Sequence, residues 1–215
     1  MRPTGLAHPE LAQVAVRGMS RGSFILRSAL AAGAIAGSAA VGPFVGQALA
    51  QDDEAAPDVE IVNFALTLEL LEAAFYEEAL KQVSGLSGDL LALTEEIASN
   101  EQEHVSVLTR TVSDLGGVPV DKPKLDFGKA FSDEKAFLEL AQTLEDTGVS
   151  AYNGAAPMIQ SEEVLAAAGS IVQIEARHAA LIRFTRGEEP APVAFDETLE
   201  EQEVLDAVQP FIKGA

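Results

Sequence analysis

The sequence predicts an all-α fold: a four-helix bundle with one long crossover between its second and third helices. Three observations predict it. Apolar residues recur at helical spacing in four stretches of about 25 residues, and no segment reads as a β-hairpin. A glycine- and proline-containing stretch without periodicity, 116–132, separates the second from the third and is long enough to travel the length of a bundle. The two histidines beyond the first fifty residues each follow a glutamate by three, in Glu101-Gln-Glu-His104 and Glu175-Ala-Arg-His178. Residues i and i+3 project from one helix face, so each pair can aim a carboxylate and an imidazole at one point.

Residues 1–50 read as an export signal. Arg17, Arg21 and Arg27 make a basic region, an apolar alanine- and glycine-rich stretch follows to about Val45, and Ala48-Leu49-Ala50 supplies a small-x-small cleavage pattern. Gly33, Gly37, Gly42 and Pro43 interrupt the apolar run, which favours a cleaved signal over a retained membrane anchor. Ser20-Arg21-Gly22-Ser23-Phe24-Ile25-Leu26 resembles the twin-arginine motif, with Gly22 in place of the second arginine, so a general secretory route stays open. Either route implies a periplasmic or extracellular protein.

Residues 51–57 are acidic and alanine/proline-rich, an expected flexible lead-in to a bundle over 58–187. Asp58 is expected to cap the first helix, which runs through Val62, Ala65, Leu66, Leu68, Ala73 and Leu80 to about Val83. Asp89 starts the second, with Leu90, Leu93, Ile97, Val105, Leu108 and Val112, and Gly116-Gly117 stops it. Ser132-Asp133-Glu134 opens the third, which carries Phe137, Leu138, Ala141, Leu144 and Ala151 until Pro157 kinks or ends it. Ser161-Glu162-Glu163 begins the fourth, through Val164, Ile171, Ile174, Leu181 and Ile182 to Arg186-Gly187. The acidic tail 188–215 contains one short helix, expected over 197–209 and packed on the bundle or a partner. Phe64, Phe75, Phe131 and Phe137 read as core.

Charge and composition exclude several functions. Removing residues 1–50 takes four of the 14 basic groups and one of the 34 acids, leaving 10 and 33, a formal charge of −23. Such a surface repels nucleic acid and, after cleavage of the signal, anionic membrane, while keeping the chain soluble and attracting cations. The absence of cysteine excludes disulfides, thiolate metal sites and cysteine nucleophiles.

An internal repeat organises the candidate site. Glu69 precedes Tyr76 by seven residues and Glu145 precedes Tyr152 by seven, and each such helix is followed by one bearing Glu-x-x-His. The inward metal ligands are then Glu69, Glu101, His104, Glu145, Glu175 and His178. Two divalent cations balance four carboxylates, and mixed nitrogen and oxygen donors suit iron or manganese over calcium or copper. Tyr76 and Tyr152 either hydrogen-bond ligand carboxylates, with a role in the chemistry, or serve as core. Glu72, three residues after Glu69, is either an extra ligand or a rim acid, and the solvated rim is the simpler reading; Glu77, Glu78, Glu95, Glu96 and Glu103 read as surface charge.

These residues resemble the ferritin-like di-iron superfamily over roughly residues 58–186, in the order Glu…Tyr, Glu-x-x-His, crossover, Glu, Glu-x-x-His seen in bacterioferritin and rubrerythrin. The stretches Asn63-Phe64-Ala65-Leu66-Thr67-Leu68-Glu69 and Leu71-Glu72-Ala73-Ala74-Phe75-Tyr76 are similar to exported ferritin-like proteins related to plant desiccation-related proteins. The resemblance implies a ferritin-like bundle holding two Fe or Mn ions. It implies oxidation of Fe(II) or consumption of peroxide in stress protection, with O2 or H2O2 as co-substrate. A manganese catalase-like activity and a stress-protective bundle whose metal is structural or vestigial are the alternatives. No methionine stands where a bacterioferritin haem ligand would, a rubredoxin module is missing, and nothing supports a 24-subunit cage; a homodimer fits the reading.

Overall fold

The computed structural model describes residues 56–83, 86 and 88–213. The expected export signal 1–50 and most of the lead-in lie outside them. Four long helices, α1 (Ala56–Gln82), α2 (Gly88–Asp114), α3 (Glu134–Ala155) and α4 (Glu162–Thr185), are followed by a short α5 (Glu201–Val208). α1 packs chiefly against α2 and α3 against α4, so the two halves of the sequence repeat are two helix pairs. Among the described residues no helix is long and apolar enough to cross a membrane.

The helix ends follow local chemistry, with one departure from expectation. Asp133 caps α3 by accepting from the Ala136 N–H at 2.9 Å, and Ser161 caps α4 by accepting from the Val164 N–H. α2 and α4 both end in paired 6→1 and 5→2 hydrogen bonds, Gly117 N–H to Val112 O with Gly116 N–H to Ser113 O, and Glu188 N–H to Arg183 O with Gly187 N–H to Phe184 O. Gly116 (φ 81°) and Gly187 (φ 77°) take the left-handed conformation this closure needs. Asp58, expected as the cap of α1, instead lies inside it, because the helix begins two residues earlier at Ala56. Its buried carboxylate reaches the α3–α4 connection and accepts from the backbone N–H groups of Gln160 (2.9 Å) and Ser161 (2.8 Å). The acid that a local reading assigns to its own helix holds together a distant one.

The crossover runs along the bundle and is fastened at both ends. Asn63 of α1 donates to Val118 O and accepts from the Val120 N–H. Further on, Asp126 N–H donates to Phe211 O and Lys213 N–H to Lys124 O, tying the crossover to the tail around an isolated Leu125–Ile212 bridge. The tail crosses α3 first: Leu199 N–H donates to Ser150 O, and a Cβ built on Gly154 would lie 2.0 Å from Leu199 O, so only glycine admits this approach. α5 then seats Val204 and Val208 in the core, which settles its packing on the bundle itself.

Two apolar clusters fill the bundle. One contains the aromatic group Phe75, Tyr76, Phe127 and Phe137 together with α5; the other is built on Val62, Leu66, Leu108, Val112, Tyr152, Val164 and Ile171. Phe75 and Phe137 are fully buried and Phe64 and Phe131 pack, partly buried, against their cluster, as their apolar character predicts. Leu181 is 43% exposed, so the inward stripe of α4 is narrower than its composition suggests.

Candidate metal centre

Each long helix contributes polar residues to its inward face. α1 brings Glu69, α2 Glu101 and His104, α3 Glu145, and α4 Glu175 and His178, and all six side chains converge. The four glutamates are 0% exposed, His104 is 8% and His178 3%. Within α2, Glu101 and His104 share the buried face with Ile97 and Leu108; within α4, Glu175 and His178 share it with Ile171 and Ile182. The helical repeat that builds the core therefore also delivers the candidate ligands.

The donor atoms form two overlapping groups, Glu69–Glu101–His104–Glu175 and Glu101–Glu145–Glu175–His178, with ligand atoms within 4.8 Å of one another in each. Glu101 and Glu175 belong to both groups, while each remaining glutamate–histidine pair belongs to one. His104 Nδ1 stands 3.2 Å from Glu69 Oε2, 3.1 Å from Glu101 Oε2 and 3.0 Å from Glu175 Oε1. His178 Nδ1 stands 3.0 Å from Glu101 Oε1 and 3.4 Å from Glu145 Oε2, in directions that make no hydrogen bond. Its other nitrogen, Nε2, meets the Asn100 amide at 3.1 Å, a contact that fixes the ring.

Burial sets the electrostatics. It pushes the Glu69 carboxyl up to about 8 despite its bond to His104, raises Glu145, and drives Glu175 well above the ordinary carboxylate range. Burial also pushes Glu101 up, but the imidazoles of His104 and His178 outweigh it and hold this acid at about 2. Burial disfavours charge on both imidazoles, yet the carboxylates around them raise His104 to about 12 and His178 to about 10. Protons on the imidazoles and on raised carboxyls thus offset much of the negative charge of the cluster in the protein alone.

Several atoms stay unsatisfied even so. Glu101 Oε1, Glu145 Oε2, both Glu175 oxygens and His178 Nδ1 are buried without a hydrogen-bond partner. Each such atom costs about 1–3 kcal/mol when nothing meets it. Five of them facing one another, with carboxylate and imidazole donors together, fit a cation site.

A family model for the ferritin-like domain matches residues 57–188. The chain belongs to this ferritin-like family. Among curated proteins no relative matches it.

The ferritin-like bundle carries two further features around these donors. Tyr76 of α1 donates to Glu145 Oε1 of α3, and Tyr152 of α3 donates to Glu69 Oε1 of α1 at 2.5 Å. Each tyrosine serves the glutamate of the other helix, so the bonds cross the bundle and lace α1 to α3. The second feature corrects an expectation. Glu72 is no rim acid: it is 3% exposed, turned inward, and pushed well above the ordinary range by burial and by Glu175, Glu145, Glu101 and Glu69. Its i+3 spacing from Glu69 already placed it on the ligand face. Glu77, Glu95, Glu96 and Glu103 are exposed and Glu78 is partly so. Sequence reasoning missed Asn100 and Gly148, a buried glycine on the α3 face that meets the cluster. Only the adjacency of Asn100 to Glu101, and of Gly148 to the Glu145 turn, signalled them.

Proposed function

We propose that this is an exported metalloprotein that holds two iron or manganese ions on Glu69, Glu101, His104, Glu145, Glu175 and His178. Its reaction is the oxidation of Fe(II) or the consumption of peroxide, in protection against oxidative or desiccation stress. The observation that carries the reading is the pair of four-residue donor groups sharing Glu101 and Glu175, because two carboxylates common to two groups suit a pair of adjacent cations. Two neighbouring redox metals supply two electrons to O2 or a peroxide without releasing a one-electron radical. The chain's own part is to present the donors, hold Glu145 and Glu69 in place through Tyr76 and Tyr152, and keep bulk water out with the apolar clusters on either side. An apolar cavity lined by Val62, Ala65, Leu68, Ala151 and Tyr152 supports access for a small apolar oxidant. Export rests on Arg17, Arg21, Arg27 and the Ala48-Leu49-Ala50 pattern.

Elemental analysis of protein from its native compartment is expected to give about two Fe or Mn per chain, the stoichiometry of di-metal carboxylate bundles. Turnover of Fe(II) with O2, or of H2O2, then distinguishes oxidation from peroxide removal, and rapid O2 release from H2O2 with manganese bound marks catalase-like chemistry. Full metal retention by the Glu101→Ala/His178→Ala double variant refutes the ligand assignment.

A further inference from the structure

The two halves of the bundle can be superposed in sequence by an offset of 76 residues. Ala65-Leu66-Thr67-Leu68-Glu69 matches Ala141-Gln142-Thr143-Leu144-Glu145 at four of five positions, Tyr76 matches Tyr152 and Ala79 matches Ala155. The same offset pairs Glu72 with Gly148. On the ligand face, the symmetry of the design is broken here.

The break is complementary. A Cβ built on Gly148 would lie 3.1 Å from Glu72 Oε1, 3.7 Å from Glu72 Oε2 and 3.6 Å from Glu175 Oε2. The carboxylate from α1 therefore occupies the space that a side chain on α3 would fill. Gly148 is three residues after Glu145, so both project from one face of α3. Glu72 starts beside Glu69 on α1 but its carboxylate and that of Glu175 both flank Gly148, and Glu175 Oε2 is one of the buried oxygens without a hydrogen-bond partner. A second glutamate at 148 would claim the same volume, so the bundle has room for one extra acid and only from one side.

Building on the six-ligand reading above, we propose that Glu72 is a seventh metal-binding residue, a fifth carboxylate that reaches over Gly148 to the Glu101–Glu145–Glu175–His178 position. The two metal positions are consequently unequal, one with an additional oxygen donor and one without. Two divalent ions balance four carboxylates, so the fifth also raises the affinity of that position for positive charge.

Anaerobic calorimetric titration of the metal-free protein with Mn²⁺ tests it. The unaltered protein is expected to show two unequal binding steps. Glu72→Gln, nearly isosteric, is expected to weaken one step by about 10- to 100-fold and leave the other within about threefold, the range for losing a residue that shapes a metal site. Gly148→Ala, which crowds the carboxylate without removing it, is expected to weaken the same step. The exchange Glu72→Gly with Gly148→Glu restores two unequal steps by supplying the acid from α3. Far-ultraviolet circular dichroism of each metal-free variant checks folding, and Glu72→Gln suffices alone where another variant fails that check. Two steps of unaltered affinity in Glu72→Gln overturn the role of Glu72 while leaving the six-ligand reading intact. An unaltered protein that takes up no Mn²⁺ or Fe²⁺ overturns both.

Discussion

Removing one tyrosine hydroxyl tests whether the bundle is laced across its axis. Tyr76→Phe leaves the ring in its apolar cluster and deletes only the donor to Glu145 Oε1; Tyr152→Phe does the same to Glu69 Oε1. A buried hydrogen bond contributes about 0.5–1.5 kcal/mol net, and a buried oxygen left without its donor costs about 1–3 kcal/mol. Each variant should lose about 2 kcal/mol in the metal-free protein, which for a domain of this size lowers Tm by about 4–8 °C. Metal affinity should fall by about 10- to 100-fold, because the glutamates lose their orientation. A double-mutant cycle in chelator-treated protein identifies the partner. Glu145→Met keeps the side-chain length and removes the acceptor, so Tyr76→Phe with Glu145→Met should show a coupling of about 1–2 kcal/mol. Tyr76→Phe with Glu69→Met, the pair that share a helix and a sequence motif, should couple by less than about 0.5 kcal/mol. Equal coupling in both pairs would refute the crossed arrangement.

Asp58→Ala should destabilise the protein by about 2–4 kcal/mol in urea denaturation, since two backbone N–H groups at the start of α4 lose a charged acceptor; a loss under about 0.5 kcal/mol would mean that water replaces it. For the chelated protein, Tm should fall as pH rises from 5 to 9. In the unfolded chain Glu69 ionises near its ordinary 4.5, whereas the folded value is about 8, so its contribution is full below 4.5 and is lost as pH climbs to 8. His104 and His178, raised from 6.5 to about 12 and 10, lose theirs above 6.5 in the same direction, and within the cluster Glu101, held at about 2, acts oppositely, below 4.5. Saturating Mn²⁺ should reverse the slope, because metal binds the deprotonated ligands; a Tm that rises with pH in chelator contradicts the protonated cluster.

Much of the fold is legible because its signals are local. Asp133 and Ser161 cap the helices that begin beside them, and Gly116 and Gly187 close the helices that end beside them. Four of the six candidate donors are legible because a helix turns the spacing of Glu101 to His104, and of Glu175 to His178, into a shared face, and Glu69 and Glu145 follow from the repeat that places each seven residues before a tyrosine. What failed is what acts at a distance. Asp58 looks like a cap from its own helix, yet its acceptor oxygens are used by Gln160 and Ser161. Glu72 looks like one more acid on an acidic chain until Gly148 is seen to leave room for it.

The sequence by itself determined the helices, most of their ends, the bundle class and six candidate donors, since each follows from periodicity, from the internal repeat or from neighbours within one turn. The tertiary structure alone decided which tyrosine serves which glutamate, that Glu101 and Glu175 are the shared carboxylates, and that Glu72 faces inward. Those outcomes depend on how α1 and α3 approach each other across the bundle. Spacing along one helix fixes the face on which a side chain lies; only packing fixes what stands opposite it.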